Sequence, residues 1–203
     1  MQRAAQIGLA AALALAPVVA LGQGQVLTKQ YDNGGVYAGT FVDGRQQGQG
    51  TYRLPNGYEY VGEWVEGRIE GQGKATFPDG SIYEGSFLAG QPEGQGKITY
   101  PEGGSYEGAW KAGRIEGEGV AVYADGTRYV GSFVDGKQDG QGTLTEASGL
   151  TYAGGWTAGD KTGTGKITYP NGATYDGEMA DGAPEGRGRL VMADGTSLSL
   201  IHI

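Results

Sequence analysis

The chain has 203 residues, a formal net charge of −8, 42 glycines, one histidine and no cysteine. Without cysteine there is neither a disulfide framework nor a thiol for a lipoprotein anchor, so an exported chain must be held together by other means. An acidic chain with no concentrated basic run is a poor nucleic-acid binder, and 13 tyrosines, four phenylalanines and three tryptophans speak against disorder.

Residues 1–22, MQRAAQIGLAAALALAPVVALG, set one charge, Arg3, ahead of an apolar run from Ile7 to Leu21, and the segment ends on the small residues Ala20 and Gly22. This is the pattern of a secretory signal. The run of 15 residues is short for a bilayer-spanning helix, which takes about 20; a retained anchor is the alternative reading. The short, alanine-rich signal points to a bacterium and to a periplasmic or secreted location. Loss of Arg3 with the signal takes the charge from −8 to −9.

From Tyr37 onward the chain repeats itself. Seven units start at Tyr37, Tyr60, Tyr83, Tyr106, Tyr129, Tyr152 and Tyr175, each 23 residues long, and run without insertion or deletion through residues 37–197. Glycine holds places 3, 8, 12, 14 and 21 of every unit, which accounts for 35 of the 42 glycines. Residues 23–36 form a half unit in the same phase, with Tyr31 at place 18 and Gly34 at place 21. Residues 198–203, LSLIHI, begin an eighth unit and stop.

Each unit reads as two short strands. Places 1–6, YVGEWV in the second unit, alternate, as do places 13–18, QGKATF, and the PDG that follows is turn chemistry. Since a strand has period two, places 1, 3 and 5 share a face, as do places 14, 16 and 18. That face carries rings at places 1 and 5 (Tyr60, Trp64, Tyr83, Phe87, Tyr106, Trp110, Tyr129, Phe133, Tyr152, Trp156 and Tyr175) and at place 18 (Phe77, Tyr100, Tyr123 and Tyr169). Glycines at places 3 and 14 leave room for a neighbouring ring to lie over the backbone; those at 8, 12 and 21 fall in connections that need positive φ. Place 5 alternates Phe41, Trp64, Phe87, Trp110, Phe133, Trp156 before Met179.

The motif YxGxWxxGxxxGxGxxxFxxG resembles the MORN repeat over all of residues 37–197 and part of the half unit. It departs at Leu54, Glu146 and Met192 in place 18, and at Met179 in place 5. The resemblance implies an all-β fold, an elongated single-layer antiparallel sheet of seven β-hairpin repeats. At about 4.8 Å per strand, some fifteen strands span roughly 70 Å. Such an array has no globular core, and its end units need capping; Leu198, with Leu200 at a glycine place, makes residues 198–203 either a capping strand or an edge that pairs with a second copy.

Little in the sequence can do chemistry. The one histidine, His202, is the penultimate residue, and the carboxylates sit at fixed turn places: Glu70, Glu93, Glu116, Asp139 and Glu185 at place 11, and Asp79, Glu102, Asp125 and Asp194 at place 20. Catalytic carboxylates need distinct environments, whereas these rows read as solvated turn acids. Arg45, Arg68, Arg114 and Lys137 at place 9 read as their local neutralisers. The family's enzymes hold their catalytic domains outside the repeats, so the expectation is a non-enzymatic scaffold with no cofactor and no metal. Its aromatic face would contact an unidentified protein partner, with self-association possible; the alternative is a module that binds lipid or envelope glycan on the same face. N-terminal mass analysis of exported material should find a chain beginning near Gln23; an intact Met1 on that material overturns the signal.

Overall fold

The computed structural model describes residues 24–200; the signal-like segment 1–22, its cleavage point and residues 201–203, His202 included, lie outside them. Sixteen strands form one open antiparallel sheet in strict chain order, and no helix occurs among the described residues. After β1 (Gln25–Gln30) come seven hairpins: the first is β2 (Val36–Val42) with β3 (Arg45–Arg53), the second β4 (Glu59–Val65) with β5 (Arg68–Thr76), and the seventh β14 (Thr174–Ala180) with β15 (Ala183–Val191). The order ends at β16 (Ser197–Leu200), which pairs with β15 through Leu190 and Leu198.

The second strand of each unit is longer than its alternation suggests. It begins at place 9, directly after a two-residue turn, and contains place 12 instead of leaving it in a connection. In the second unit Val65 pairs with Arg68, and between them Glu66 and Gly67 have φ of 48° and 85°, the type I′ geometry that matches strand twist. The seventh-place residue takes positive φ in every unit, even where it is Ala89, Ala112 or Ala158, a left-handed conformation that costs roughly 1 kcal/mol for a side chain unable to compensate it. Register then slips: Trp64 faces Ile69 while Gly62 faces Gly73, so Glu63 alone opposes Glu70, Gly71 and Gln72. Gly71, with φ 97°, is the kink of this bulge. The other turn is a three-residue loop in which Phe77 N–H donates to Ser81 O at 2.8 Å and Gly80 N–H to Phe77 O at 2.9 Å.

The bulge decides what the tyrosine does. The lone residue opposite it has a carbonyl that its own hairpin leaves unused, and the place-1 tyrosine of the same unit donates its hydroxyl there: Tyr60 Oη to Glu63 O at 3.0 Å, Tyr106 Oη to Ala109 O at 3.0 Å, Tyr175 Oη to Glu178 O at 2.8 Å. To reach it the ring lies across the glycine pair at places 3 and 14. A Cβ built on Gly73 would stand 2.5 Å from Tyr60 Cε2 and Oη, and one on Gly62 would stand 2.5 Å from the Cα of Gly73. All seven place-1 tyrosines are fully buried, each worth on the order of 4 kcal/mol of apolar burial as an upper bound.

Between successive tyrosines stands the place-5 ring. Tyr60 meets Trp64 at 5.8 Å and Phe87 at 5.1 Å between centroids, Tyr83 meets Phe87 at 5.0 Å and Trp110 at 5.0 Å, and every such pair is edge-to-face. The zigzag continues from Phe41 to Trp156, so each unit's core is completed by a ring from the next. Edge-to-face pairs add about 0.5–1.5 kcal/mol beyond burial.

Two measurements test this arrangement. Gly108→Val should lower stability by about 1–3 kcal/mol, because its Cβ would stand 2.5 Å from Glu118 O and 2.6 Å from Tyr106 Oη; a melting curve equal to the parent's overturns the steric account. The second is alkaline unfolding. Burial, the largest cause, raises the phenols of Tyr60, Tyr83, Tyr106 and Tyr129 to about 12, from an unfolded value near 10. A raised phenol stabilises the fold fully below the unfolded pKa, and that stability is lost as pH rises through the folded one. Melting temperature should therefore hold to about pH 10 and fall between about pH 10 and 12, with tyrosinate absorbance rising as strand signal is lost. Ionisation of these four buried phenols near pH 10 with the sheet intact would contradict it.

Candidate binding surface

Burial divides the aromatic face in two. Tyr60, Tyr83, Tyr106, Tyr129, Tyr152 and Tyr175 at place 1, and Trp64, Phe87, Trp110, Phe133 and Trp156 at place 5, are buried in the ring zigzag and hold the sheet together. The place-18 rings stand above them: Phe77 and Tyr169 are half-buried, Tyr100 and Tyr123 are 40% and 39% exposed. A partner approaching this face meets place 18 first.

At two slots the place-18 side chain meets place 10 of the following unit across the face. Gln46 Nε2 donates to Tyr31 Oη at 2.6 Å, and Gln138 Nε2 to Tyr123 Oη at 2.5 Å. By repeat equivalence Leu54 stands opposite Ile69, Phe77 opposite Pro92, Tyr100 opposite Ile115, Glu146 opposite Lys161 and Tyr169 opposite Pro184. Together the two rows roof the buried rings. The sequence reading missed place 10 because it took that stretch for a connection. The signal was nonetheless present, since the alternation at place 5 is echoed there: units with Trp carry Ile69, Ile115 and Lys161, and units with Phe carry Gln46, Pro92 and Gln138.

Six of the nine acids expected to be solvated are occupied by backbone N–H groups. Glu93 Oε2 accepts Ala112 N–H at 2.8 Å, Glu116 Oε2 accepts Asp135 N–H at 3.2 Å and Asp139 Oδ2 accepts Ala158 N–H at 3.1 Å. These three place-11 carboxylates thus hold the strained seventh residue of the next unit's turn. At place 20, Asp79, Asp125 and Asp194 accept the N–H two residues on at 2.8 Å, and that backbone bond is the main cause holding their carboxyls below the usual range. Asn33, Asn56 and Asn171 make the same bond with an amide oxygen, so the place needs an acceptor and not a charge. Two of the four cations at place 9 bridge successive turns, Arg114 to Asp135 at 2.7 Å and Arg45 to Glu66 at 3.6 Å. On the opposite face Lys74 pairs with Glu84 at 2.8 Å and Lys97 with Glu107 at 3.6 Å, cross-strand neighbours that keep that side polar.

A search of the curated proteins gave no match. Among solved structures the chain is similar to the Drosophila melanogaster SAS-4 (dCPAP) TCP domain, solved in complex with a proline-rich motif of Ana2, at 14% identity over 94% of this chain and 97% of that one, with a TM-score of 0.48. It is also similar to a point mutant of the TCP10 domain of Danio rerio CPAP, at 18% identity over 91% and 92% of the two chains and a TM-score of 0.46. The MORN repeat matches residues 37–57, 60–82, 83–105, 106–128, 129–151, 152–174 and 175–197. Seven matches in one unbroken phase, on a sheet whose hairpins share one bulge, one tyrosine cap and one pair of turns, make the chain a member of the MORN-repeat family.

Proposed function

We propose that this chain is a non-enzymatic interaction scaffold, exported from a bacterial cell, whose roofed aromatic face contacts a protein partner. One observation carries the reading: a strip of partly exposed side chains, with Phe77, Tyr100 and Tyr123 on one side and Ile69, Pro92 and Ile115 on the other, crosses successive units along the array. Contiguous apolar surface of this kind marks contact sites in soluble proteins, and tyrosine supplies contact area at low entropic cost. Six of the nine row carboxylates are engaged in turn bonds, and burial raises the phenols of the place-1 tyrosines. Net charge of −8 opposes attachment to anionic headgroups.

The test uses crosslinking of the native exported fraction with the full chain and with a Tyr100→Ser/Tyr123→Ser variant. Both residues sit on the rim, so melting should change little. A protein that crosslinks to the parent and falls at least tenfold on the variant is the expected result. Capture that is equal on both, or sedimentation of the chain with envelope material stripped of protein, overturns the reading in favour of no role for the strip or of a lipid or glycan ligand.

A further inference from the structure

The roof over the aromatic core is broken at one described slot. At the other slots built on a tryptophan, the place-10 residue paired with it and the place-18 residue of the preceding unit are apolar or aromatic, Ile69 with Leu54 at Trp64 and Ile115 with Tyr100 at Trp110; at Trp156 they are Lys161 and Glu146. These two do not close on each other. Glu146 takes its hydrogen bond from Ser148 Oγ at 3.0 Å, Lys161 Nζ sits 5.4 Å from the centroid of the Tyr152 ring, and the ion pairs among the described residues lie elsewhere. The result is an open cleft of about 890 Å³, against about 180 Å³ for the crevice beside Tyr100, Ile115 and Tyr123.

The cleft is polarised. Its bank on the three-residue-turn side carries Asp125 and Glu146, its bank on the type I′ side carries Lys137 and Lys161, and Leu144, Trp156 and Tyr123 lie between them. We propose that this cleft is the docking point for a peptide segment of the partner that presents a basic side chain to the acidic bank, an apolar or aromatic one to the floor, and an acidic one to the basic bank. Charge complementarity selects this occupant. An apolar segment would cover four charged groups without neutralising them, while a polyanion would meet Asp125 and Glu146 and a polycation Lys137 and Lys161, each a like-charge penalty at an interface. The floor favours a flat or branched apolar side chain, and Tyr123 at the wall can also receive a cation on its ring face. The site rests on the scaffold reading and adds to it the chemistry of the partner and the unit where it is read.

The decisive variant closes the roof by copying the Tyr100 and Ile115 slot: Glu146→Tyr with Lys161→Ile. A random dodecapeptide library is selected on the immobilised full chain and counter-selected on this double variant. Enriched peptides should carry the basic, apolar, acidic pattern and bind the parent at least tenfold more tightly than the variant, whose melting temperature should equal or exceed the parent's. That last readout separates loss of the site from loss of the fold. The assignment fails if nothing is enriched over the counter-selection, if the enriched peptides lack the charge pattern, or if the parent instead retains saccharides on a glycan array and loses them in the variant. If crosslinked partners of the native chain stay bound to the double variant, this site is wrong while the scaffold reading stands.

Discussion

Everything in this array hangs on one hydroxyl. In six of the seven hairpins a bulge removes the hairpin partner of the fourth-place residue, and an unpaired carbonyl under a covering ring would cost about 1–3 kcal/mol. The place-1 tyrosine answers that need, and to do so it must lie flat across the strand pair. Lying flat, it excludes any Cβ at the two glycine places beneath it. Tyrosine, bulge and glycine pair are therefore one device: removal of any member strands the other two. Gly142 under Tyr129 and Gly188 under Tyr175 repeat the contacts seen at Gly73 under Tyr60.

The device also sets how units join. A flat tyrosine presents its edge and face to rings on both sides, so in the first five units the tyrosine is sandwiched between its own place-5 ring and the next unit's. The turns follow the same logic. Gly113 N–H donates to Pro92 O at 2.9 Å, beside the bond from Ala112 N–H to Glu93, so the type I′ turn of one unit rests on the bulged strand of the unit before. Backbone strain at the seventh place is held by bonds that cross the unit boundary. Stability of such a chain is a sum over neighbours, and the first and last strands have a neighbour on one side alone. At β1, Leu27 stands where later units have a glycine and is 47% exposed; at β16, Leu198 stands where they have tyrosine and is 55% exposed. Neither end repeats the ring-over-glycine device.

Period and ring pattern were enough to read the hairpins, the aromatic face and the steric duty of the glycines at places 3 and 14. The bulge was not legible. Places 7 to 12 look like a loop because EGRIEG in the second unit lacks clean alternation, and that lack is what a type I′ turn followed by two extra residues produces. A left-handed alanine such as Ala112 gives no compositional warning, since its conformation is imposed by the turn and by Glu93 across the boundary. The acids were read as idle for the same reason: their partners are backbone N–H groups, which carry no letter in a sequence. The candidate face was legible as a whole but not in depth, because which rings lie beneath and which above depends on the reach of place 18 over place 10, 15 residues away.

Comparison of the seven units with one another shows where variation is cheap. Tyrosine at place 1 and glycine at places 3 and 14 never change within the array, whereas place 18 runs through Leu54, Phe77, Tyr100, Glu146 and Met192, and place 10 through Gln46, Ile69, Pro92 and Lys161. The physical cause is the order of layers. A change beneath the ring breaks the hydroxyl bond and both ring contacts at once; a change in the roof costs partial burial at one slot, and a nearest-neighbour array confines that cost to the adjoining units. Roof residues are thus free to differ from slot to slot while the sheet beneath stays uniform. A uniform repeat can bind only a uniform ligand, so discrimination between partners must come from places that differ, and on the aromatic face those places are 10 and 18.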